Sequence, residues 1–376
     1  MRLSKKDIRD LAETAHTSPN NTLYLPGEIR LTRGPAVFLT GEDVYTVLFV
    51  TDTAGVGRVK VGGRTFTDSV CGIARTDRVH SVPVPRKVLD GAGEYTVYAR
   101  RIYHKGDYFC MAGCRTERSF PFVPAPEKGD LDLLVVTDAH SKLDSAAAAA
   151  AKLPGRHDAL ILLGDECGHG RTAESLTDCI IGLAHTLTGG GMPCLYCRGN
   201  HETRGEYATV LPGYFRTGTG GMHYAAALAG RRFVVFDTGE DKEDSHREYS
   251  GFADFDGYRE KQFEDLSRLV PDGRPVVAVA HIPDIDDRIG RGANAKLKEL
   301  GCFLELSGHQ HSVEVRTDGE FPVLVTGGPC RRRYKEGAVE GRVEETGTPG
   351  DPLMYCASVV LRENGEYVFT LASSAF

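Results

Sequence analysis

The stretch Ala159–Asp165, ALILLGD, decides the fold, because five apolar residues run directly into a glycine and a carboxylate. Met192–His201, MPCLYCRGNH, has the same form and ends in Asn200 and His201. Short apolar runs bounded by turn signals are typical of buried strands. Burying polar groups without partners is costly, so the carboxylate, carboxamide and imidazole groups at the ends of these runs indicate a functional site.

Three further apolar runs end in the same way. They are LDLLVVTDAH, which ends in Asp138 and His140, RPVVAVAH, which ends in His281, and CFLELSGHQH, which ends in His309 and His311. Between the runs, residues 141–153, 172–187 and 258–273 have the composition or apolar spacing of helices, and Thr172 begins a capping-box pattern. Alternating strands and helices predict an α/β domain with much parallel sheet, whose ligands bind beyond the carboxyl ends of the strands.

The side chains at these five strand ends form a metal-ligand set. They are Asp138, His140, Asp165, Asn200, His281, His309 and His311. Oxygen and imidazole ligands suit divalent metals, and the imidazole-rich mixture accepts Mn, Fe, Zn or Co. Seven ligands are too many for one tetrahedral zinc, so we expect two ions about 3.5–4 Å apart, with the two oxygens of Asp165 able to bridge them.

The order of the five blocks resembles that of the calcineurin-like metallophosphoesterase superfamily. The blocks are Asp138-Ala-His140, Gly164-Asp165, Gly199-Asn200-His201-Glu202, His281 and Gly308-His309-Gln310-His311. The resemblance covers roughly residues 130–375. It implies a layered α/β/β/α catalytic domain with two sheets between helices.

The resemblance also implies roles for these residues. One metal would take Asp138, His140, Asp165 and His311, and the other Asp165, Asn200, His281 and His309. A hydroxide bridging the metals would attack phosphorus in line. Asp165 and His201 would be the catalytic residues, His201 as the general acid beside the leaving oxygen.

The N-terminal third of the sequence has a different pattern of apolar and turn-forming residues from the rest. Short β-type runs separated by Gly, Asp and Pro extend to about residue 123, and PFVPAPEKGD (121–130) has the composition of a linker. This predicts an N-terminal helical segment (1–21), an all-β sandwich (22–125) and a catalytic domain (126–376). The sandwich resembles the fibronectin-III-like domain of purple acid phosphatases, and we expect it to act in stability, in the cleft rim or in self-association.

Two departures separate the chain from the purple enzymes. They have Asp-x-Gly where this chain has Asp138-Ala-His140, and Gly168 stands where they carry a tyrosine. We therefore expect no Fe(III)–tyrosinate centre.

Five further residues are candidates for substrate binding. His169 lies in the loop after Asp165, and Arg204 follows His201 closely. Arg331, Arg332 and Arg333 follow a Gly-Gly turn in a segment that resembles a family loop near the metals, and arginine geometry suits phosphate.

Composition excludes several classes of function. The net charge is −7, which disfavours nucleic acid as the main partner. No apolar run approaches the ~20 residues of a membrane span. The first residues lack the apolar core of a secretory signal, so a cytoplasmic location and reduced forms of the ten cysteines are expected. A homo-oligomer is left open.

The sequence thus predicts a dinuclear-metal-dependent hydrolase of small-molecule phosphate esters, most simply a phosphomonoesterase. A phosphodiesterase acting on a nucleotide or lipid headgroup is the first alternative. A non-catalytic scaffold of the same fold is the second, although a scaffold has no need of all seven ligands.

Overall fold

The computed structural model describes residues 29–105, 110–339, 343, 345–348 and 350–376. The helix predicted for residues 1–21 lies outside these residues. In the part of the chain that is described, no helix has the length and apolar character needed to cross a membrane.

Strands dominate the N-terminal region, as its sequence pattern predicts. They are β1 (Leu31–Leu39), β2 (Val44–Val61), β3 (Arg64–Thr67), β4 (Ser69–Val70), β5 (Ile73–Ala74), β6 (Asp77–Pro85), β7 (Glu94–Lys105) and β8 (Cys110–Pro121), with helix α1 (Arg86–Ala92) before β7.

The rest of the chain alternates strands and helices. Its strands are β9 (Leu131–Val136), β10 (Ala159–Leu162), β11 (Pro193–Tyr196), β12 (Tyr224–Leu228), β13 (Arg231–Val235), β14 (Val276–Val279), β15 (Cys302–Ser307), β16 (Glu314–Arg316), β17 (Val323–Val325), β18 (Gly337–Val339), β19 (Leu353–Leu361) and β20 (Tyr367–Ala375). Its helices are α2 (Leu143–Ala150), α3 (Ala173–Thr177), α4 (Leu183–Thr188), α5 (Leu211–Phe215), α6 (Phe255–Ser267), α7 (Ile285–Arg288) and α8 (Ala293–Glu299).

The three helices predicted from sequence are confirmed. They correspond to α2, to α6 and to the pair α3 and α4, which a π turn over Asp178–Gly182 joins. The capping box forms, because the Thr172 hydroxyl accepts a hydrogen bond from the Ser175 amide over 3.0 Å, and the Ser175 hydroxyl accepts one from the Thr172 amide over 3.3 Å.

Two sheets carry the ligand strands. The first has the order β18-β20-β19-β9-β10-β11-β1-β2-β7-β8, with β3 and β6 also paired to β2. The second has the order β12-β13-β14-β15-β17-β16. The pairs β9–β10 and β10–β11 in the first sheet and β14–β15 in the second are parallel, so the carboxyl ends of the strands in each set point the same way.

Strand pairing joins the N-terminal strands to the first sheet. Strand β1 pairs in parallel with β11, with Val37 opposite Pro193 and Phe38 opposite Cys194, and pairs on its other side with β2. The region therefore continues the first sheet. Nothing in this pairing identifies it with the fibronectin-III-like fold that the resemblance implied.

Alternate residues of each central strand face two different apolar clusters. In β9, Leu133 and Val135 join a core that also contains residues of the second sheet, whereas Leu134 and Val136 pack with α2, α3, α4 and α5. A third cluster lies between the second sheet and α6, α7 and α8. The layers therefore follow the order helices, sheet, sheet, helices, and both sheets direct buried side chains toward the core between them.

The cysteine pair of the CLYC stretch follows the same alternation. Cys194 belongs to the cluster beneath the helices and Cys197 to the core between the sheets, so they face opposite sides of β11, as the strand period predicts. The eight cysteines that the structure describes in full are free thiols.

Candidate metal centre

The seven predicted ligands meet at one place, although they come from two sheets. Loops after β9, β10 and β11 bring Asp138, His140, Asp165 and Asn200, and loops after β14 and β15 bring His281, His309 and His311. Potential ligand atoms of Asp138, His140 and His311 lie within 4.8 Å of one another and form a first group. Those of Asp165, His281 and His309 do the same and form a second group.

The first group has an unpartnered oxygen at its centre. Asp138 Oδ2 accepts hydrogen bonds from the Thr137 hydroxyl and from the His309 amide, both over 2.9 Å. Asp138 Oδ1 is buried, has no hydrogen-bond partner among the described residues, and lies 3.3 Å from His311 Nε2. His140 Nε2 lies 3.0 Å from the same His311 nitrogen. A carboxylate oxygen and two imidazole nitrogens that face one another fit a cation between them.

The second group is ordered by hydrogen bonds behind it. His281 Nδ1 donates to the Leu163 carbonyl over 2.8 Å, and its Nε2 faces Asp165 Oδ2 at 3.3 Å. Such a contact behind a metal-binding imidazole fixes its tautomer and its orientation.

The amide of Asn200 also faces this group. The atom turned toward the cluster lies 3.0 Å from His309 Nδ1 and 3.3 Å from both Asp165 Oδ2 and His281 Nε2. Hydrogen bonding alone favours a nitrogen there, because its neighbours are acceptors and Arg204 Nη2 lies 2.9 Å from the other amide atom. A cation among these acceptors favours the oxygen instead, and Oδ1 is the atom that lies 3.0 Å from His309 Nδ1, so the donor set fits a metal.

Burial and charge shape the protonation of the cluster. Burial lowers the pKa of His140 to about 4, against the opposing pull of Asp138. Burial alone would raise the pKa of Asp165, but the His281 ring outweighs it and holds that pKa below its usual range. Neutral imidazole and ionised carboxylate are the forms that bind metals.

The backbone is strained at most of these ligands. Asp138, His140, Asp165, His309 and His311 have φ between 44° and 67°, the left-handed region that non-glycine residues seldom adopt. Such conformations cost about 1–3 kcal/mol each and persist where the surroundings impose them, which is typical of functional sites.

His201 lies at the edge of the cluster. Its Nδ1 donates to the Gly168 carbonyl over 2.6 Å, and its Nε2 lies 3.8 Å from Asp165 Oδ2. His140, Asp165 and His201 also form a group close enough to hold an ion. The ring of His169, which is exposed, stacks on that of His201 with centroids 5.7 Å apart.

The predicted arginines differ in their placement. Arg204 Nη1 lies 3.1 Å from His201 Nε2, at the edge of the site. Arg331, Arg332 and Arg333 are exposed and begin one residue after Cys330, whose thiol donates to the His311 carbonyl over 3.1 Å. Substrate contact by any of these arginines stays a prediction.

Two buried carboxylates at the site had no role in the sequence interpretation. Glu202 accepts hydrogen bonds from the amides of Asp165 (2.9 Å), Gly199 (2.9 Å) and Cys167 (3.0 Å). It therefore ties the β10 loop to the β11 loop. Burial and the neighbouring Asp165 raise its pKa, while the amides favour the charged form.

The second carboxylate is Glu240, which is 2% exposed and accepts hydrogen bonds from Arg204 at both of its oxygens. The sequence held the signal for both residues. Each follows an apolar run within a few residues, in GNHE and in VVFDTGE, as the predicted metal ligands do.

Comparison with known proteins agrees with the ligand order. Residues 131–313 match the family model described as calcineurin-like phosphoesterase, a range just under half of the chain that contains all five ligand blocks. No curated protein matches the chain. This match supports the superfamily and a metal-dependent phosphoesterase domain in residues 131–313.

Several solved structures are similar to the chain. PhoD is 11% identical over 91% of each chain, with a TM-score of 0.46. Phosphopantetheinyl hydrolase from Mycobacterium tuberculosis is 15% identical over 58% of this chain and 98% of its own, with a TM-score of 0.36. GAP50, the anchor in the inner membrane complex of Plasmodium, is 13% identical over 66% and 90%, with a TM-score of 0.35.

Proposed function

We propose that the chain is a hydrolase of phosphomonoesters that depends on two divalent metal ions. The observation that carries the proposal is the position of Asp165, whose carboxylate belongs to two ligand groups, one with His281 and His309 and the other with His140 and His201. A carboxylate shared in this way is suited to bridging two cations.

Each proposed ion has its own set of ligands besides Asp165. The first set is Asp138, His140 and His311, and the second is Asn200, His281 and His309. When bound, a pair of such ions activates water for attack at phosphorus and neutralises charge on the phosphoryl oxygens. Thr137, Leu163 and the His309 amide orient the ligands from behind.

His201 is proposed as the general acid for the leaving oxygen. Its contact to the Gly168 carbonyl places the proton on Nδ1 and turns Nε2 toward the cluster. A proton held at Nε2 would then be delivered to the leaving group. A cytoplasmic location is part of the same proposal, and the free thiols support it, since reducing compartments keep cysteines unpaired.

The test is a substrate panel on metal-free protein refilled with Mn(II), Fe(II), Zn(II) or Co(II) in turn. We expect chelation to abolish hydrolysis, Mn(II) to restore it, and monoesters to be turned over faster than diesters. Full activity in protein shown to be metal-free would contradict the mechanism. Faster turnover of diesters would favour the phosphodiesterase alternative, and no hydrolysis with any metal would favour the scaffold.

A further inference from the structure

A cavity of about 340 Å³ lies against Thr203, Arg204 and Gly205, which follow His201 closely in the chain. Arg204 and Glu240 form part of its wall, together with Thr203, Tyr249, Phe252 and Phe255. Arg204 links the cavity to the site, because it also donates to His201 Nε2. We call this space the leaving-group cavity.

The leaving-group cavity continues into a second cavity of about 440 Å³. Thr203, Phe252, Ala253 and Phe255 line both. Volumes of a few hundred Å³ are those of small-molecule sites, so the two together have room for a group the size of a nucleoside.

Aromatic rings form one wall of the leaving-group cavity. The Tyr249 and Phe255 rings meet edge to face, with centroids 6.1 Å apart. Phe255 packs over Gly239, where a Cβ atom would lie 2.6 Å from the ring. Phe252 at the rim is 93% exposed. A phenylalanine held in water beside other rings is typical of a surface that stacks on a ligand.

The charges around the leaving-group cavity are already paired within the protein. Arg204 is held by Glu240, and Lys242 lies 3.2 Å from Glu248 and 3.4 Å from Asp241. No excess positive charge remains among these residues for a second phosphate. The cavity therefore suits an uncharged group with a flat ring.

We propose that the leaving-group cavity binds the aromatic ring of the ester's leaving group, so that the preferred substrates are phosphate esters of nucleoside type. This rests on the proposed function, since a phosphoryl group at the metals with its leaving oxygen at His201 directs the rest of the leaving group over Arg204 and into the cavity. Phe252 is then a specificity-determining residue that stacks on the ring.

The first test compares adenosine 5′-monophosphate with ribose 5-phosphate, which share the leaving oxygen and differ in the base. Wild type is expected to favour the nucleotide in kcat/KM by about 10-fold, since stacking on one aromatic side chain contributes that order of magnitude. Phe252→Ala should remove most of this preference through KM. Val270→Ala, which is 67% exposed and lines neither cavity, should keep it. Equal kcat/KM for both esters in wild type would overturn the proposal.

The second test needs no catalysis. Binding of adenosine and of ribose to metal-free protein is measured by saturation-transfer NMR. We expect adenosine alone to bind, and Phe252→Ala but not Val270→Ala to weaken it. If no ester is hydrolysed and adenosine still binds in this way, the proposed function fails while the cavity remains a ring-binding site. If esters are hydrolysed and adenosine does not bind, the cavity proposal alone fails.

Discussion

Arg204 and His201 share a single hydrogen bond at the edge of the metal centre, from Nη1 to Nε2 over 3.1 Å. Glu240 fixes the arginine through Nε at 2.5 Å and Nη2 at 2.7 Å, and the Gly168 carbonyl fixes the other face of the histidine. A proton on Nε2 and the arginine N–H compete for the same lone pair. Protonation of His201 for acid catalysis therefore requires Arg204 to release it, for example toward the phosphoryl oxygens of a bound ester.

His201→Asn tests the role of that nitrogen. Because an alkoxide needs a proton as it leaves, we expect alkyl phosphates to be hydrolysed about 100- to 10,000-fold more slowly, and nitrophenyl phosphate to be affected much less. Both ions should remain bound in metal analysis. Equal losses on the two leaving groups would instead indicate a positioning role, and loss of an ion would make His201 a ligand.

Asp165→Asn tests the shared carboxylate. An amide offers one oxygen where the carboxylate offers two, so we expect most activity to be lost and fewer than two ions per chain to be retained. Metal content by mass spectrometry checks this, with the exposed Asp318→Asn as the control. Two tightly held ions in the Asp165 variant would show that Asp165 is not the bridge.

Glu202→Gln tests the tie between two ligand loops. The amide that replaces one oxygen meets backbone N–H groups, so at least one buried donor loses its acceptor, at a cost of about 1–3 kcal/mol. We expect a lower Tm and weaker metal binding, measured by calorimetry. Glu206→Gln, which is exposed four residues further on, should change neither property, and unchanged metal affinity in the Glu202 variant would remove its proposed influence on the site.

A buried carboxyl in β15 predicts a pH dependence of stability. Burial raises the pKa of Glu305 from 4.5 to about 7, with Asp284 adding to the rise and Ser307 and Arg316 opposing it. Since the folded state holds this proton more tightly, its contribution is complete below pH 4.5 and is lost as the pH rises through 7. The shift corresponds to about 3 kcal/mol.

Glu305→Gln should flatten that part of the stability curve. Denaturant unfolding of metal-free protein from pH 4.5 to 8 checks this, with the exposed Glu320→Gln as the control. Parallel curves for wild type and the Glu305 variant would contradict the assignment.

Removing residues 1–125 tests whether the catalytic region stands alone. All seven predicted ligands lie within residues 126–376, so this fragment is expected to bind metals if it folds. The structure changes the expectation for folding, because the truncation strips β1 from β11 and exposes a buried strand edge. We expect the fragment to aggregate or to unfold at a lower temperature in size-exclusion and thermal measurements. A monomeric fragment of wild-type Tm would show that the edge is dispensable.

The meeting of the seven side chains at one place was predictable because its signal is local. Asp138, Asp165 and His281 each follow a run of apolar residues, and parallel strands bring such ends together. The helix caps at Thr172 and the opposite faces of Cys194 and Cys197 follow equally from neighbouring residues. The left-handed backbone at Asp138 and His311 could not be predicted, because the sequence pattern does not show which non-glycine residues adopt a positive φ.

The placement of β1 was not predictable for the opposite reason. Its parallel partner β11 lies far along the chain, and nothing in the apolar pattern of Leu31–Leu39 distinguishes a strand of a separate sandwich from one that extends a neighbouring sheet. The ion pair between Arg204 and Glu240 was not predictable either. It joins loops of two different sheets, and only the side-chain geometry of the folded protein shows it.

The insertion of β1 also bears on how the protein is made. During synthesis β1 and β2 can pair as soon as both have left the ribosome, but the other edge of β1 waits for residues 193–196. Until then this edge of β1, which is buried in the folded protein, is exposed and can pair with other chains. This edge of β1 therefore stays unpaired until β11 emerges, and during that interval a chaperone would protect it.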